Sequence, residues 1–292
     1  MENIWIILSL IAAFTLAASD ALTKKALSVH NEYLIAWLRL LLSLPFLYIA
    51  LLFVPVPQLK RDFYIAFIIA LPLEIITLIL YIKALKVSPL SLTVPFLSLT
   101  PMFLIVVAYI ILGEKLTFLG AIGVLFIVAG SYTLNIKEAK KGLFEPFAAI
   151  KKEKGSIFMI ITAFIYSVTA SLVKMAIENS SPVFFAATYI TIIVALFTPI
   201  ALYKGRDELR LICKNGALKQ SILPGMFHAI MLITSLIAVS LTAVAYMISV
   251  KRLSLLISVI FGFMFFKESG IRERLAGAVL MLGGFVLIVL SQ

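Results

Sequence analysis

Hydrophobic residues fall into ten long runs along the chain, and short polar joins separate most of them. Each run approaches the roughly 20 residues that an α-helix needs to cross the hydrocarbon core of a bilayer. The runs lie at 4–23, 33–53, 63–84, 90–112, 117–136, 156–177, 183–203, 220–242, 244–266 and 273–290. The pattern predicts an all-α integral membrane protein with ten transmembrane helices, which we number as the first to the tenth span.

The composition agrees with a lipid environment. Of the 292 residues, 63% are hydrophobic and 13% are charged, and the mean hydropathy is +1.14. A soluble domain is about half apolar and about a quarter charged, so a soluble fold of this length has no place for so much apolar surface. Strands of a membrane barrel would give shorter segments of alternating polarity, which the runs do not show.

The net charge of +11 arises mostly from lysines and arginines between the apolar runs. Basic side chains in such places anchor helix ends and contact acidic lipid headgroups, so membrane lipids are expected partners and nucleic acid is not. Cys213 is the single cysteine, and no GxxxxGK(S/T), HExxH or GxSxG sequence occurs. We therefore predict no metal, no cofactor and no catalytic residue, and we expect that the protein is not an enzyme.

The second half of the chain repeats the first. An offset of 150 residues aligns Lys24 with Lys174, and an offset of 154 aligns Glu114 with Glu268, each inside an ungapped block that also matches apolar positions. The sequence thus predicts a first five-helix repeat at 1–136, a basic inter-repeat loop at 137–155 and a second five-helix repeat at 156–292.

Each repeat holds five helices, which is an odd number, so the second repeat begins on the opposite face of the membrane. The repeats are therefore expected to be inverted. Inverted repeats are a common architecture of secondary transporters, which bind their substrate near the midplane between the repeats. They also provide the two near-equivalent conformations that alternating access requires.

Two short motifs at matching places carry a family resemblance. Leu112-Gly113-Glu114-Lys115-Leu116-Thr117 stands before the fifth span, and Phe266-Lys267-Glu268 stands before the tenth. With these motifs, the whole chain resembles the EamA-type ten-helix permeases of the drug/metabolite transporter superfamily. The resemblance implies ten helices and export or exchange of amino acids, metabolites or similar solutes. It does not identify the substrate, because the family is chemically diverse.

Lys251 and Arg252 are two adjacent cations well inside the ninth apolar run. A charge at such depth costs about 2.5–3.5 kcal/mol on insertion scales, so each cation needs a partner or an aqueous cavity. Arg presents a bidentate fork for carboxylate or phosphate, and Lys adds a point charge. The two residues are predicted to bind an anionic group of the substrate. The alternative is a structural pairing with Glu74 or Asp20.

Glu74 lies midway along the third span, and the repeat places His228 at the matching position of the eighth. Two titratable groups at equivalent depth indicate a proton relay or a site for a substrate ammonium group. A buried pair that locks helices together is the alternative interpretation.

Four further side chains are predicted to reach the substrate cavity. Asp20 lies deep in the first span, and Arg39 lies within the second, where it can equally anchor the membrane interface. Tyr246 is about one helical turn before Lys251, and Tyr189 aligns with Arg39 across the repeat.

Other matched residues of the repeat are interpreted as structural. Glu114 and Glu268 come just before the fifth and tenth spans, where an acidic residue suits the helix dipole. Glycines of these two spans allow close helix packing or a homodimer.

The function expected from these patterns is secondary active transport of a small polar metabolite, such as an amino acid or an organic anion, with a coupling proton or ion as a further partner. A membrane scaffold and an enzyme acting on a lipid-linked substrate are the alternatives. The expected location is the plasma membrane. The basic joins 137–155 and 204–219 place the termini outside by the positive-inside rule, whereas the family resemblance implies termini inside.

Overall fold

The structure is a computed structural model that describes residues 3–27, 29–87, 94–135, 154–209, 216–266 and 271–291. Every regular element in these ranges is helical, which confirms the all-α prediction. Most of the predicted inter-repeat loop 137–155 lies outside the described residues, as does Glu268.

Eleven helices carry labels below, and they are assigned in chain order. In the first half, α1 is Ile4–Leu27, α2 is Glu32–Leu51, α3 is Arg61–Val87, α4 is Thr100–Leu112 and α5 is Phe118–Asn135. In the second half, α6 is Lys154–Glu178, α7 is Pro182–Lys204, α8 is Ala217–Leu241, α9 is Val244–Lys251, α10 is Ser254–Phe266 and α11 is Ile271–Leu290. A 3₁₀ helix, Val94–Leu99, leads into α4, and a short turn, Arg206–Leu209, follows α7.

Six stretches of helix in the described residues are long and apolar enough to cross a bilayer. They are α1, most of α2, α6, α7, α8 and the combined stretch Val244–Phe261 of α9 and α10. Shorter apolar helices lie at Phe96–Leu112, Phe118–Thr133 and Ala276–Leu290. The chain is therefore a helical, multi-pass membrane protein.

The fourth and ninth spans are both interrupted, and at matching places. The 13-residue helix α4 begins at Thr100 and the 13-residue helix α10 begins at Ser254, so the offset of 154 relates the two starts. A 3₁₀ helix precedes the first and α9 precedes the second. Discontinuous membrane helices expose backbone carbonyls that need other partners, and such breaks are tolerated where protein or water surrounds them.

Helices of the first half pack chiefly on helices of the second half. The main crossings join α1 with α8, α3 with α6, α4 with α6, α1 with α10 and α5 with α11. Because the offset relates α1 to α6 and α3 to α8, these crossings come in equivalent pairs. The two halves are interleaved, and the space between them runs through the centre of the bundle.

Glycines bring α5 and α11 into close antiparallel contact. A Cβ added to Gly284 would lie 2.5 Å from the carbonyl oxygen of Gly123, and one added to Gly130 would lie 2.6 Å from that of Gly277. The helix backbones therefore touch, as small residues allow in membranes. These glycines serve packing within the chain, and the homodimer stays a prediction.

Gly284→Ala is expected to lower the melting temperature of the detergent-solubilised protein, because the new methyl group meets backbone that cannot move aside. Overpacking of this kind costs about 1–3 kcal/mol. Gly283→Ala is the matched control, since its Cβ would meet only Phe126 at 4.0 Å. Equal melting temperatures for the two variants would contradict the proposed crossing.

Candidate functional site

A cavity of about 450 Å³ lies among helices of both halves. The first half contributes residues of α1, α3 and α4, and the second half contributes residues of α6 to α10. Its charged and phenolic lining residues are Glu74, Tyr166, Tyr189, Lys251 and Arg252. Most of the remaining lining is apolar, and it comes mainly from α6, α7, α8 and α9.

Helical periodicity determines which side chains reach the cavity. On α9 the lining residues are Val244, Met247, Ile248 and Lys251. This i, i+3, i+4, i+7 spacing forms a single face of a helix. The same spacing recurs on α6 from Tyr166 and on α8 from Leu232. Three helices of the second half thus present one face each to the same space.

Two opposite charges in the lining have no partner. Within the described residues, neither the Glu74 carboxylate nor the Lys251 ammonium group makes a hydrogen bond or an ion pair. The hydroxyl of Tyr189, whose residue is 8% exposed, is also without a hydrogen-bond partner. Buried polar groups are nearly always satisfied in native structures, so this set is suited to bind a polar ligand.

Arg252 links the two interrupted spans. Its Nη2 donates a hydrogen bond to the carbonyl oxygen of Leu97 at 3.1 Å, at the end of the 3₁₀ helix before α4. Its Nε is buried and has no hydrogen-bond partner among the residues that the structure describes. One end of the guanidinium group therefore holds the break in the first half, while another donor remains available beside the cavity.

Asp20 and Arg39 pair with each other rather than with Lys251. Arg39 Nη1 donates to Asp20 Oδ1 at 2.8 Å, and the Asp20 side chain is 51% exposed. Neither residue lines the cavity, although Leu16, one turn before Asp20 on α1, does. The structure therefore contradicts the alternative in which Asp20 is the counter-ion of Lys251.

His228 is buried on α8, and its Nδ1 has no hydrogen-bond partner in the part of the chain that the structure describes. It lies one turn before Leu232, which lines the cavity. His228 is therefore on the same face of α8 as the lining residues, although it is not itself part of the lining. Its role in binding stays a prediction.

Tyr246 is directed away from the cavity. Its hydroxyl accepts a hydrogen bond from the Thr117 N–H at 3.1 Å, and its ring packs on Gly120 of α5. Lys251 is five positions further along, a spacing that places it on a different face of α9. Met247, which is four residues before Lys251, shares its face of α9 and lines the cavity.

Sequence reasoning missed five polar residues of the lining, which are Thr100, Tyr166, Thr169, Ser235 and Ser254. Tyr166 on α6 aligns with Leu16, so the repeat gives no signal for it. Thr100 and Ser254 are the first residues of α4 and α10. Their match at an offset of 154 was a signal that could have found them, because both are small hydroxyl residues inside otherwise apolar runs.

Glu114 contacts a different helix from the one predicted. Its Oε2 accepts a hydrogen bond from the Val244 N–H at 2.9 Å, so it caps α9 rather than α5. Its Oε1 pairs with Lys174 Nζ, which also donates to the Thr242 carbonyl oxygen at 2.7 Å. The backbone turn at Gly113, with φ of 70°, ends α4 immediately before Glu114.

The described helices define a multi-pass membrane protein with a charged cavity between its two halves. A family model described as the EamA-like transporter family matches the chain twice, at residues 3–136 and 153–290. The chain belongs to the EamA-like transporter family, which confirms the resemblance seen in its motifs.

Solved structures include the same fold. One crystal structure superimposes with a TM-score of 0.75 at 15% sequence identity, and the match covers 100% of this chain and 98% of that chain. The comparison with curated proteins gives no match.

Lys251→Met is expected to raise the melting temperature in detergent, because an unpaired charge at membrane depth is costly to keep. Arg252→Met is expected to lower it, because the Leu97 carbonyl loses a charged donor, a contact worth about 1.5–3 kcal/mol. Thermal unfolding of the two neighbouring variants checks the distinction. A larger loss of stability from Lys251→Met than from Arg252→Met would contradict it.

Proposed function

We propose that the protein is a secondary active transporter, an exporter or exchanger, of a small polar metabolite such as an amino acid or an organic anion. The observation that carries the proposal is the cavity between the halves, whose lining includes both Glu74 and Lys251, and neither charge is paired within the described ranges. Membership of a transporter family supports it. Alternating access between inverted repeats is the proposed mechanism.

The lining supports a ligand that carries charge on a partly apolar body. Lys251 and the free Nε of Arg252 are suited to a carboxylate, and Glu74 is suited to an ammonium group. Side chains such as Phe185, Leu236 and Met247 offer apolar contact. The volume lies within the range of about 300–1,000 Å³ that is usual for small-molecule sites.

The driving force is proposed to be a proton, an ion or the gradient of the solute itself. The sequence holds no nucleotide-binding GxxxxGK(S/T) motif to support transport driven by ATP. Glu74 is a candidate coupling group, because a carboxylate at membrane depth can exchange a proton as its surroundings change.

Glu74→Gln and Lys251→Met are each expected to lower the ratio of maximal flux to KM at least tenfold in proteoliposomes. Each variant removes a charged contact to the ligand, which is worth about 1.5–3 kcal/mol. Flux is measured over a panel of amino acids, organic acids and phosphorylated metabolites. Lys83→Gln is the control, because Lys83 is an exposed residue of α3 outside the lining.

An absence of flux for every substrate in the panel would count against the proposed function. Wild-type flux in both charge variants would count against the assigned site alone, because the carrier would then work without the two charges.

Ten spans in the plasma membrane, with both termini outside, are the proposed topology. The charge of the joins carries this orientation, because cytoplasmic joins are enriched in lysine and arginine. A reporter fused after Gln292 is expected to give its extracellular signal. A cytoplasmic signal would reverse the orientation.

A further inference from the structure

The buried ion pair of Glu114 and Lys174 lies at one end of the cavity. Lys174 follows Val173 on α6, and Glu114 accepts from the N–H of Val244 on α9; both valines line the cavity. Val244 precedes Lys251 by seven residues, which is about 10 Å along a helix. The pair therefore lies about two helical turns from the charged part of the site.

The same side of the molecule holds the end of α11. Gly123 near the start of α5 meets Gly284 and Ile288 near the end of α11, whereas Gly130 further along α5 meets Gly277. The two helices are thus antiparallel, and α11 ends where α5 begins, next to the Glu114 loop. We call this side the Glu114 face.

Several polar contacts join the two halves at this face. Besides the ion pair, Thr117 N–H donates to the Tyr246 hydroxyl at 3.1 Å, and Lys60 N–H donates to the Asn179 carbonyl oxygen at 3.3 Å. Each contact has one partner in the first half and one in the second. The Thr117–Tyr246 bond holds the α4–α5 turn against α9, and the Lys60–Asn179 bond holds the start of α3 against the end of α6.

The ion pair is largely shielded from water. The side chains of Lys174 and Glu114 are 9% and 13% exposed, and both carboxylate oxygens of Glu114 have a partner. The two charges belong to different halves, so a movement of one half against the other separates them. Water can then hydrate each charge, which makes the contact suited to open and close reversibly.

We propose that the Glu114–Lys174 pair is the contact that closes the cavity toward the Glu114 face, and that it must separate for the cavity to open there. This inference rests on the proposed function, because only a carrier needs to open the cavity alternately to two faces. Glu114 also positions α9, the helix that carries Lys251, through its bond to the Val244 N–H.

Accessibility of a cavity thiol tests the proposal without a transport substrate. The variant Ser235→Cys places a thiol in the cavity lining, in a Cys213→Ser background that removes the single native cysteine. A charged, membrane-impermeant methanethiosulfonate reagent is added to sealed vesicles in which a tag after Gln292 is open to protease, so that the reagent reaches the Glu114 face.

Glu114→Gln and Lys174→Met are each expected to raise the labelling rate from this face at least tenfold. Tyr246→Phe, which leaves no buried charge unpaired, is expected to raise it severalfold. Lys115→Gln is the matched control, since Lys115 is the exposed neighbour of Glu114, and its labelling rate should equal that of the parent.

An unchanged labelling rate in folded charge variants would overturn the proposal. An equal rise in the labelling rate from both faces of the membrane would also overturn it, because that result indicates a general loosening of the helix bundle. If the two charge variants do not fold, unchanged labelling in Tyr246→Phe overturns it. Normal flux with unchanged labelling would reject the closing contact alone. Faster labelling without flux in the parent would retain the contact and reject the proposed transport.

Discussion

The cost of holding charge inside a bilayer organises this molecule. Lys174 and Glu114 meet that cost by pairing with each other and with backbone groups at one face of the bundle. Glu74 and Lys251 have no such partner among the described residues, and they line a cavity. The first arrangement is typical of a structural contact, and the second is the arrangement on which the proposed ligand site rests, because a charge at membrane depth is costly.

The interleaving of the halves explains why the cavity forms where it does. Because α1 crosses α8 and α3 crosses α6, neither half encloses the centre alone. The interrupted fourth and ninth spans bring Leu97 and Arg252 together, and one hydrogen bond joins the two breaks. A relative movement of the halves would therefore change the cavity and the Glu114 face together. This coupling is the mechanical basis of the proposed alternating access.

Much of this fold could be predicted from the sequence. Hydrophobic length predicted the helices, because lipid leaves the backbone no other partner than itself. The depth of Lys251, Arg252 and Glu74 within their apolar runs identifies them as candidates from the sequence alone. Periodicity within one helix also carries information, since Met247 and Lys251 share a face.

Tertiary structure decided how these residues combine. The pairing of Asp20 with Arg39 joins the consecutive helices α1 and α2. The contact of Tyr246 with Thr117 and the capping of α9 by Glu114 join segments that are distant in sequence. A hydropathy pattern assigns depth but not the rotation of a helix or its neighbours. The sequence by itself therefore determined which charges lie inside the membrane, while helix packing decided which of them are paired and which face the cavity.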